Sequence, residues 1–418
     1  MVRKAGKAPS APLSVTPEAA RRFLLHHQGL LTPPDGPSPW TSLRGDATGV
    51  LAAIGLLECV QIDPVNTVSP NHHLVLASRL EGYRPDSLEA LLDQGLLFEH
   101  YLQARCAIPR RDFAYFRPRV EALSLQQHRW GQVKDTARDI LAHIRNNGPA
   151  SARSFTASDK VVGYWDSEAR TKATSLALEM LWETGRLMIT RREGNLRYYD
   201  LPERVMPKEL LERFASTPED ECWRALRLKY YRAYRLFDPG DLRFGWRSQK
   251  AAERRALVER DLGEGLIAPV TLEGVRRAYY VLSEDAALLQ SAASWEAGDR
   301  GTLLSPLDNL LWRRERIQDV FGFTYTWEQY IPVARRQFGA YAMPLLLGDR
   351  LVGRLDPRFD RGAGALVVNR IALEHGVRPS KALARGIGRA AARLLAFLGA
   401  DTVRYEDEVP AGLRRYLE

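Results

Sequence analysis

One short segment of the chain combines residue types and spacing that suit acid–base chemistry. Gln61 and Asp63 flank Ile62 within residues 60–68. In an extended segment alternate side chains point to the same side, so both polar groups face one way. The aspartate can deprotonate or orient a water and stabilise a sugar cation by its charge, while the glutamine holds the same water. The pair therefore suits hydrolysis of an N-glycosidic bond.

The nature of the leaving group decides whether one carboxylate is enough. A purine alkylated at N7 or N3 is cationic and leaves without a strong general acid, whereas O-glycoside hydrolysis uses paired carboxylates. The alternative is that Asp63 forms a turn before Pro64 and Gln61 bonds the backbone. Spacing alone favours this structural interpretation.

Several nearby groups are candidates for support of such a site. Asn66, His72 and His73 follow closely, and a structural or phosphate-contacting role suits the histidines better than chemistry. Glu58 either raises the pKa of Asp63 or only ends a helix. The lysines nearest to the motif in sequence are Lys7 and Lys134. We therefore expect a reaction without a Schiff base, unless a lysine distant in sequence lies close to the motif in the folded chain.

Neither a metal site nor a cofactor is predicted. The three cysteines are far apart and none lies near a histidine at ligand spacing, so no disulfide framework and no zinc site is expected. This cysteine usage fits a reducing, intracellular compartment. No run of 18 apolar residues exists and no apolar stretch follows the basic N-terminus, so we expect no membrane span and no secretory signal.

The charge balance indicates an anionic partner. The chain of 418 residues has a formal net charge of +9, and nine lysines stand against fifty-one arginines. The planar guanidinium of arginine can bind a phosphate group with two hydrogen bonds, which lysine does not do as well. Codon bias explains the high ratio of arginine to lysine equally well. Candidate contacts to phosphate are arginines in the C-terminal part and at one predicted hairpin tip, namely Arg191, Arg192, Arg313, Arg335 and Arg336, with Arg314 and Arg316 beside them.

Three stretches share one order of elements: helices, then two short strands around a tight turn. In the middle stretch, helices over 136–146, 151–155 and 167–184 precede strands over 186–190 and 196–201. Arg170 and Lys172 fall on the third of these helices. The third stretch has helices over 218–234 and 248–262, with strands over 266–272 and 276–282. The first has helices over 17–28, 47–57 and 87–94, with strands over 97–102 and 105–109. This order is typical of winged-helix modules.

The C-terminal part has a different pattern. Strands are predicted over 325–332, 340–347, 350–355 and 402–405, with a helix over 379–398. The predicted fold class is α+β: three tandem winged-helix domains and a C-terminal mixed, mostly β domain. The predicted boundaries are a flexible tail (1–14), three winged helices (15–130, 131–206 and 207–293) and the C-terminal domain (294–418).

Two blocks of sequence resemble a known family. The first contains Gln61-Ile62-Asp63, Val65-Asn66, Asn71-His72-His73 and Ser78-Arg79. The second begins at Leu304-Ser305-Pro306-Leu307-Asp308-Asn309 and continues through Trp312-Arg313-Arg314, Arg335-Arg336-Gln337-Phe338-Gly339 and Tyr341 to residues 347–354. In this order they resemble the AlkZ-like (YcaQ-type) winged-helix DNA glycosylases, over about residues 15–410.

The resemblance implies a concave, DNA-clasping arrangement and excision of N7-alkylpurines from double-stranded DNA, with unhooking of interstrand crosslinks by some members. Gln61 and Asp63 correspond to the aspartate branch, which is associated with broader substrates. Arg79 is then expected to bind DNA or to support the active site. Asp308 is expected to anchor the structure of the C-terminal domain. Two departures affect the expected substrate range: Pro70 stands where many members have arginine, and Gln103 where many have histidine.

The predicted protein is a monomeric, monofunctional DNA glycosylase in a bacterial cytoplasm, on the nucleoid when it binds DNA. A non-catalytic winged-helix regulator is the main alternative, and it would need a dimer and half-sites. A nuclease is the second, and it would need a cluster of carboxylates for divalent metal, for which Asp63 has no clear partner except Glu58.

Overall fold

The structure is a computed structural model that describes residues 11–32, 38–125, 130–155, 159–162 and 170–417. Its helices are α1 (Pro17–His27), α2 (Ala47–Leu57), α3 (Asn71–Ala77), α4 (Pro85–Asp93), α5 (Arg117–Leu125), α6 (Lys134–Asn147), α7 (Ala173–Glu183), α8 (Pro202–Val205), α9 (Lys208–Ser216), α10 (Glu219–Tyr234), α11 (Ala251–Gly263), α12 (Ala286–Ser291), α13 (Arg314–Phe321), α14 (Lys381–Leu398) and α15 (Ala411–Leu417).

The strands, also in chain order, are β1 (Leu13–Val15), β2 (Val60–Gln61), β3 (Leu97–Tyr101), β4 (Arg105–Pro109), β5 (Ala150–Ser151), β6 (Lys160–Val162), β7 (Arg170–Lys172), β8 (Met188–Glu193), β9 (Leu196–Asp200), β10 (Ile267–Leu272), β11 (Tyr279–Leu282), β12 (Gly301–Leu303), β13 (Met343–Leu347), β14 (Arg350–Asp360), β15 (Ala365–Leu373) and β16 (Thr402–Glu408). The predicted mixed α+β class is confirmed.

The chain divides into two compact units. The first consists of Met1–Arg84 together with Lys229–Glu418, and the second is Pro85–Leu228. The boundaries expected from the sequence, at 130, 206 and 293, do not coincide with these. The first expected module is divided at residue 84, and its N-terminal helices share a unit with the C-terminal sheet.

The largest sheet of the first unit is formed by the C-terminal part of the chain. Its strand order is β12-β13-β14-β15-β16, with antiparallel neighbours except for the parallel pair β15–β16. The turn between β13 and β14 contains Gly348 at φ +57°, as the Gly-Asp pair predicts. Strands β12 and β15 were not expected from the sequence. The strand predicted over 325–332 is wrong: Phe323 and Tyr325 are buried at alternate positions, but this extended chain has no strand partner among the described residues.

The N-terminal segment is a strand where a tail was expected. Leu13–Val15 pairs in parallel with Val270–Leu272 of β10, and β10 pairs with β11. The prediction of a flexible tail is therefore wrong for Leu13 and Ser14, because the backbone of this segment completes a sheet. Residues 1–10 lie outside the described residues. Thr16 then caps α1 through its side chain, which accepts a hydrogen bond from the Ala19 amide.

The second unit contains two hairpins and a helix pair. Strands β3 and β4 form one hairpin, β8 and β9 the other, and β5 pairs with β9; α6 packs on α7. The helix expected over 167–184 begins only at Ala173, and residues 167–169 lie outside the described residues. Arg170 and Lys172 are therefore not on this helix: they lie in β7, which pairs with β6. Residues Ala152–Ser154 form a single 3-10 turn, where a short helix was predicted.

No helix in the described part of the chain is both long and apolar enough to cross a lipid bilayer.

A buried ion pair joins the two sequence blocks inside the first unit. The guanidinium of Arg79 donates to both carboxylate oxygens of Asp308 at 2.8 Å, and both side chains are fully shielded from solvent. Arg79 also donates to the Gln28 carbonyl, and Asp308 accepts from the Leu310 amide. The bidentate geometry satisfies both charges, so the pair fixes the end of α3 against the segment that follows β12.

We expect Arg79→Met to lower the free energy of unfolding by about 3–5 kcal/mol, because it leaves the Asp308 carboxylate buried without its cation. Arg79→Met combined with Asp308→Leu should recover part of that loss. Urea denaturation of the full chain measures both values. The exposed pair Arg138–Asp135 provides the control, since Arg138→Met should change the same quantity by less than about 1 kcal/mol. A double variant no more stable than the single one would contradict the uncompensated-charge explanation.

Candidate active site

The segment with Gln61 and Asp63 begins at a sharp turn after an apolar helix. Asp46 caps α2, whose inward face is fully buried, and the helix stops at Glu58 with φ +69°. A non-glycine residue in this region costs about 1–3 kcal/mol, so its surroundings must hold it. The Glu58 carboxylate binds Lys229 at 2.9 Å and also Arg232, and this pairing keeps the turn in place.

Three buried side chains hold the backbone carbonyls of this segment. Lys229 donates to the Glu58 carbonyl at 2.5 Å, Asn309 to the Cys59 carbonyl at 2.7 Å, and Asn71 to the Gln61 carbonyl at 2.7 Å. These donors come from α10, from the segment before α13 and from α3, which are far apart in sequence. Buried carbonyls with such partners are fixed in place, because breaking one hydrogen bond leaves a desolvated acceptor. The segment is therefore a rigid support for the side chains of Gln61 and Asp63.

Asp63 is half-buried and keeps one oxygen available. Its Oδ1 accepts a hydrogen bond from the Val65 amide at 3.0 Å, across Pro64, which is the turn that the structural interpretation expected. Burial raises the pKa of Asp63 above its ordinary value, although the bond from Val65 opposes this. Among the described residues no donor is bound to Oδ2. The turn thus fixes the carboxylate and leaves its second oxygen open to a water molecule.

Gln61 lies beside Asp63, with Ile62 buried between them. The Gln61 residue is 7 % exposed, and its side-chain amide has no hydrogen-bond partner in the part of the chain that the structure describes. Its backbone, in contrast, is held by Asn71. A side-chain amide with an unused donor and acceptor can hydrogen-bond a water molecule.

Three polar residues from the two sequence blocks form a network behind the motif. The Ser305 hydroxyl donates to Asn71 at 2.7 Å, and the Tyr341 hydroxyl donates to the Ser69 carbonyl at 3.3 Å. Burial raises the pKa of Tyr341, and the negative charge of Asp63 raises it further, so this phenol stays neutral in the field of the carboxylate. Sequence reasoning assigned no role to these residues, although they lie in the blocks that carry the family resemblance.

The two histidines and Asn66 occupy supporting positions. His72 and His73 are buried on α3 with ring centroids 4.2 Å apart, and His73 Nδ1 lies 2.7 Å from the Tyr83 hydroxyl. The Asn66 amide oxygen accepts a hydrogen bond from Arg361 at 2.6 Å, which ties the loop after Asp63 to the turn between β14 and β15. These contacts favour support over direct chemistry.

The predicted arginines divide into two groups. Arg79 and Arg313 are buried against Asp308 and Asp238, the latter pair with two bonds of 3.0 Å, and Arg192 pairs with the buried Glu99. Arg336 donates to the Ile331 and Gln329 carbonyls. The side chain of Arg191, in contrast, is 48 % exposed, stacks on Tyr198 and lies 3.4 Å from the exposed Glu193 carboxylate, and Arg335 is exposed. Arg191 and Arg335 are thus the exposed members of the set. The other arginines are bound to carboxylates or carbonyls, and neither a position in a hairpin nor a run of charges in the sequence reveals such partners.

Glu58 does not act on Asp63. Burial alone would raise the pKa of Glu58, but Lys229 and Arg232 outweigh it and lower that pKa, so the charge is neutralised locally. Lys229 is also the distant lysine that folds close to the motif, and it is 2 % exposed with its ammonium bound to the Glu58 carboxylate and carbonyl. Within the described residues no group of three or more acidic, histidine or cysteine side chains is arranged to hold a metal ion.

Comparison with known proteins agrees with this arrangement of the two blocks. The family model for "DNA glycosylase AlkZ-like" matches residues 54–397, which include the motif, the Asp308 block and most of α14. The chain belongs to the AlkZ-like DNA glycosylase family. It is an enzyme of that class, and its substrate is DNA. The solved structure of Streptomyces sahachiroi DNA glycosylase AlkZ superimposes with a TM-score of 0.61 at 14% sequence identity, covering 95% of this chain and 100% of that one. At that identity the superposition supports the fold alone.

We expect Asn309→Ala in this glycosylase to lower kcat about 10–100-fold while the Kd for DNA stays unchanged. The variant removes the donor to the Cys59 carbonyl, and small displacements of a catalytic group cost up to about 100-fold. Single-turnover excision and equilibrium binding measure the two quantities below the melting temperature of the variant. Asn147→Ala is the matched control, because Asn147 is an exposed residue that bonds only within its own helix. An unchanged kcat in a destabilised variant would assign Asn309 a purely structural role.

Proposed function

We propose that this glycosylase hydrolyses the N-glycosidic bond of N7-alkylated, cationic purines in duplex DNA, with Asp63 and Gln61 as its catalytic residues and without a lyase step. The observation that carries the proposal is the half-buried Asp63 carboxylate, which has one oxygen free of hydrogen bonds in the described residues and stands two residues after Gln61, whose backbone is held by Asn71.

The chemistry follows from the positive charge of the damaged base. As the bond between C1′ and the purine nitrogen breaks, both bonding electrons go to the base, which leaves neutral, and positive charge develops on the sugar. The Asp63 carboxylate stabilises this charge. Gln61 holds a water whose oxygen bonds to C1′, and Asp63 Oδ2 accepts the proton of that water. The products are the free alkylpurine and an abasic site, and no second carboxylate is required.

The environment of Lys229 supports a reaction without a covalent enzyme–DNA intermediate. A Schiff base needs a neutral amine that can reach C1′. The Lys229 amine is instead bound to the Glu58 carboxylate at 2.9 Å, and it is almost completely buried. The nearby lysine therefore serves to hold the turn at Glu58.

The finer architecture and substrate range are part of the same proposal. The hairpins β3–β4, β8–β9 and β10–β11 each follow a helix, and this order supports three winged-helix modules. The monomeric state is part of the proposal. A concave, DNA-clasping arrangement follows from the family resemblance. Arg191 and Arg335 are the proposed phosphate contacts, while Arg79, Arg192, Arg313, Arg336, Asn66, His72 and His73 support the site. We extend the substrates to interstrand crosslinks through N7 because Asp63 follows the Gln-x-Asp pattern.

We expect Asp63→Asn to lower the rate of N7-methylguanine release about 10²–10⁴-fold, because the amide neither balances the sugar cation nor accepts a proton. Gln61→Ala should be weaker, about 10–100-fold, because water can partly replace its hydrogen bonds. Mass spectrometry of the base released from a methylated duplex, with EDTA present, measures both. The remaining strand should stay intact until alkali is added, and borohydride should trap no protein–DNA adduct.

Asp401→Asn is the matched control for that experiment, since Asp401 is an exposed aspartate in the same unit and should leave base release unchanged. Equal activity of Asp63→Asn and the wild type would refute the catalytic assignment. Strand cleavage without alkali that is lost when EDTA is added would favour the nuclease-type alternative.

The pH dependence of excision should reflect the environment of Asp63. Burial raises its pKa above 3.8, and only the ionised carboxylate is active. We therefore expect kcat to be constant near neutrality and to fall tenfold per pH unit on acidification, beginning at a higher pH than an ordinary aspartate would give. Excision under single-turnover conditions, corrected for acid-catalysed depurination of the same duplex, measures this profile. A midpoint at or below 3.8 would show that the burial of Asp63 does not control its ionisation.

A further inference from the structure

One helix of the first unit has basic residues at a regular spacing and no acidic ones. Residues 376–400 contain five cations, Arg378, Lys381, Arg385, Arg389 and Arg393, and neither aspartate nor glutamate. Four of these cations lie on α14, each four residues after the last. Elsewhere the chain mixes the two signs, with 60 basic and 51 acidic residues in all. The segment therefore differs from an ordinary solvated surface, where both signs alternate.

The four cations form one stripe on the outer side of α14. Spacing of four residues places them on neighbouring turns, about 6 Å apart along the helix axis. The opposite side carries Leu383, Ile387, Ala390 and Leu394, which are buried against the C-terminal sheet. Lys381, Arg385 and Arg389 are exposed, and Arg393 is half-buried. We refer to Lys381, Arg385, Arg389 and Arg393 as the α14 basic face.

This arrangement does not stabilise the helix. Like charges four residues apart repel each other, and a cation in the first turn opposes the helix dipole, yet Lys381 is the first residue of α14. Arg389 is bound to the Asp299 carbonyl and carboxylate, and Arg393 donates to the Ser78 carbonyl. Lys381 and Arg385 have no carboxylate partner among the described residues. The repulsion would be relieved by a polyanion along the stripe.

The exposed side chains between the cations are small. The exposed positions beside them are Ala382, Gly388, Ala392 and Ala396, and a Cβ added to Gly388 would meet no atom within 4 Å. Small side chains let a partner's backbone approach the helix closely, while the long cationic side chains reach around it. This shape suits an extended phosphodiester backbone better than a single small anion.

The α14 basic face is also connected to the active site through one helix. α14 packs against α3, and Arg393 bonds the carbonyl of Ser78, at the end of α3. The first residue of α3 is Asn71, which holds the carbonyl of Gln61. Val68, in the loop after Asp63, shares a core cluster with Leu383 of α14. The stripe therefore lies in the same unit as the motif.

We propose that the α14 basic face binds the phosphate backbone of the duplex DNA substrate, a contact surface separate from Arg191 and Arg335. This proposal rests on one part of the proposed function, namely that the DNA substrate is a duplex, and it does not depend on the catalytic residues. The charge complementarity is direct, and contacts to phosphate carry no sequence preference, as recognition of damage at any position requires.

The test is the salt dependence of DNA binding by the full chain. Each phosphate contact contributes about 0.9 to the slope of log K against log salt concentration for duplex DNA. For Lys381→Ala combined with Arg385→Ala we expect this slope to become less steep by about 1.8, measured with an undamaged duplex between 50 and 200 mM KCl. Over that fourfold range the loss of two contacts corresponds to about a 12-fold smaller change in affinity. Arg385→Lys should keep the wild-type slope.

A matched pair controls for the change in net charge. Arg255→Ala combined with Arg404→Ala also removes two exposed cations of the first unit, from α11 and β16, and should leave the slope unchanged. An unchanged slope in the α14 variant overturns the proposal, and so does an equal decrease in the control pair. Vesicles containing phosphatidylserine provide a second probe: loss of vesicle binding with an unchanged DNA slope would assign the surface to lipid and overturn the proposal.

This outcome is independent of the catalytic proposal. Release of N7-methylguanine by the wild type, and its loss in Asp63→Asn, test the chemistry and not the α14 basic face. If the wild type excises the base and the α14 variant keeps its slope, only the surface is refuted. If the slope changes but no base is released, only the catalytic proposal is refuted. Thermal midpoints of all variants identify any that are misfolded.

Discussion

The active site depends on hydrogen bonds from buried side chains to backbone carbonyls. Lys229, Asn309 and Asn71 donate to the carbonyls of Glu58, Cys59 and Gln61. Two of these donors are anchored in turn: Lys229 by the Glu58 carboxylate, and Asn71 by Ser305. The cost of the positive φ at Glu58 is thus offset by contacts that also fix the position of the next residues. Both sequence blocks of the family are needed because each supplies donors to the other.

This rigidity matters because the candidate site has so few functional groups. In the mechanism that we propose, a single carboxylate and a single amide hold one water in line with C1′, and neither group can move to compensate for a misplaced partner. The turn at Pro64 fixes the carboxylate through its Oδ1 and leaves its Oδ2 for the reaction. Partial burial keeps the charge of Asp63 effective, because fewer water dipoles screen it from the sugar. The Tyr341 phenol experiences the electric field of Asp63 and stays neutral, so it adds no second negative charge.

The sequence predicted local structure well and long-range contacts poorly. Helix α2, strand β4 and the hairpin turn at Gly348 follow from periodicity and turn residues, and each was expected at or near its observed place. Gln61 and Asp63 could be predicted as candidates because the alternation of side chains along an extended segment depends only on neighbouring residues. The pairing of Leu13–Val15 with β10 was missed, since it joins residues more than 250 positions apart. Lys229 was missed for the same reason: no local pattern shows that it lies against Glu58. Arg79 and Arg313 were expected near phosphate because an isolated arginine in a sequence does not reveal its carboxylate partner.

The division of the arginines explains how one residue type serves two purposes in this chain. Arginine keeps its charge in every environment, so burying it requires a carboxylate or several carbonyls. Arg79, Arg192 and Arg313 meet that requirement and thereby fix loops and elements to one another. Where no carboxylate partner is bound among the described residues, as at Lys381 and Arg385 on α14, the same charge remains unpaired and the fold tolerates the repulsion. Net charge alone does not distinguish these cases. The positive charge that is available to DNA is therefore set by the placement of the 51 acidic residues as much as by the number of basic ones.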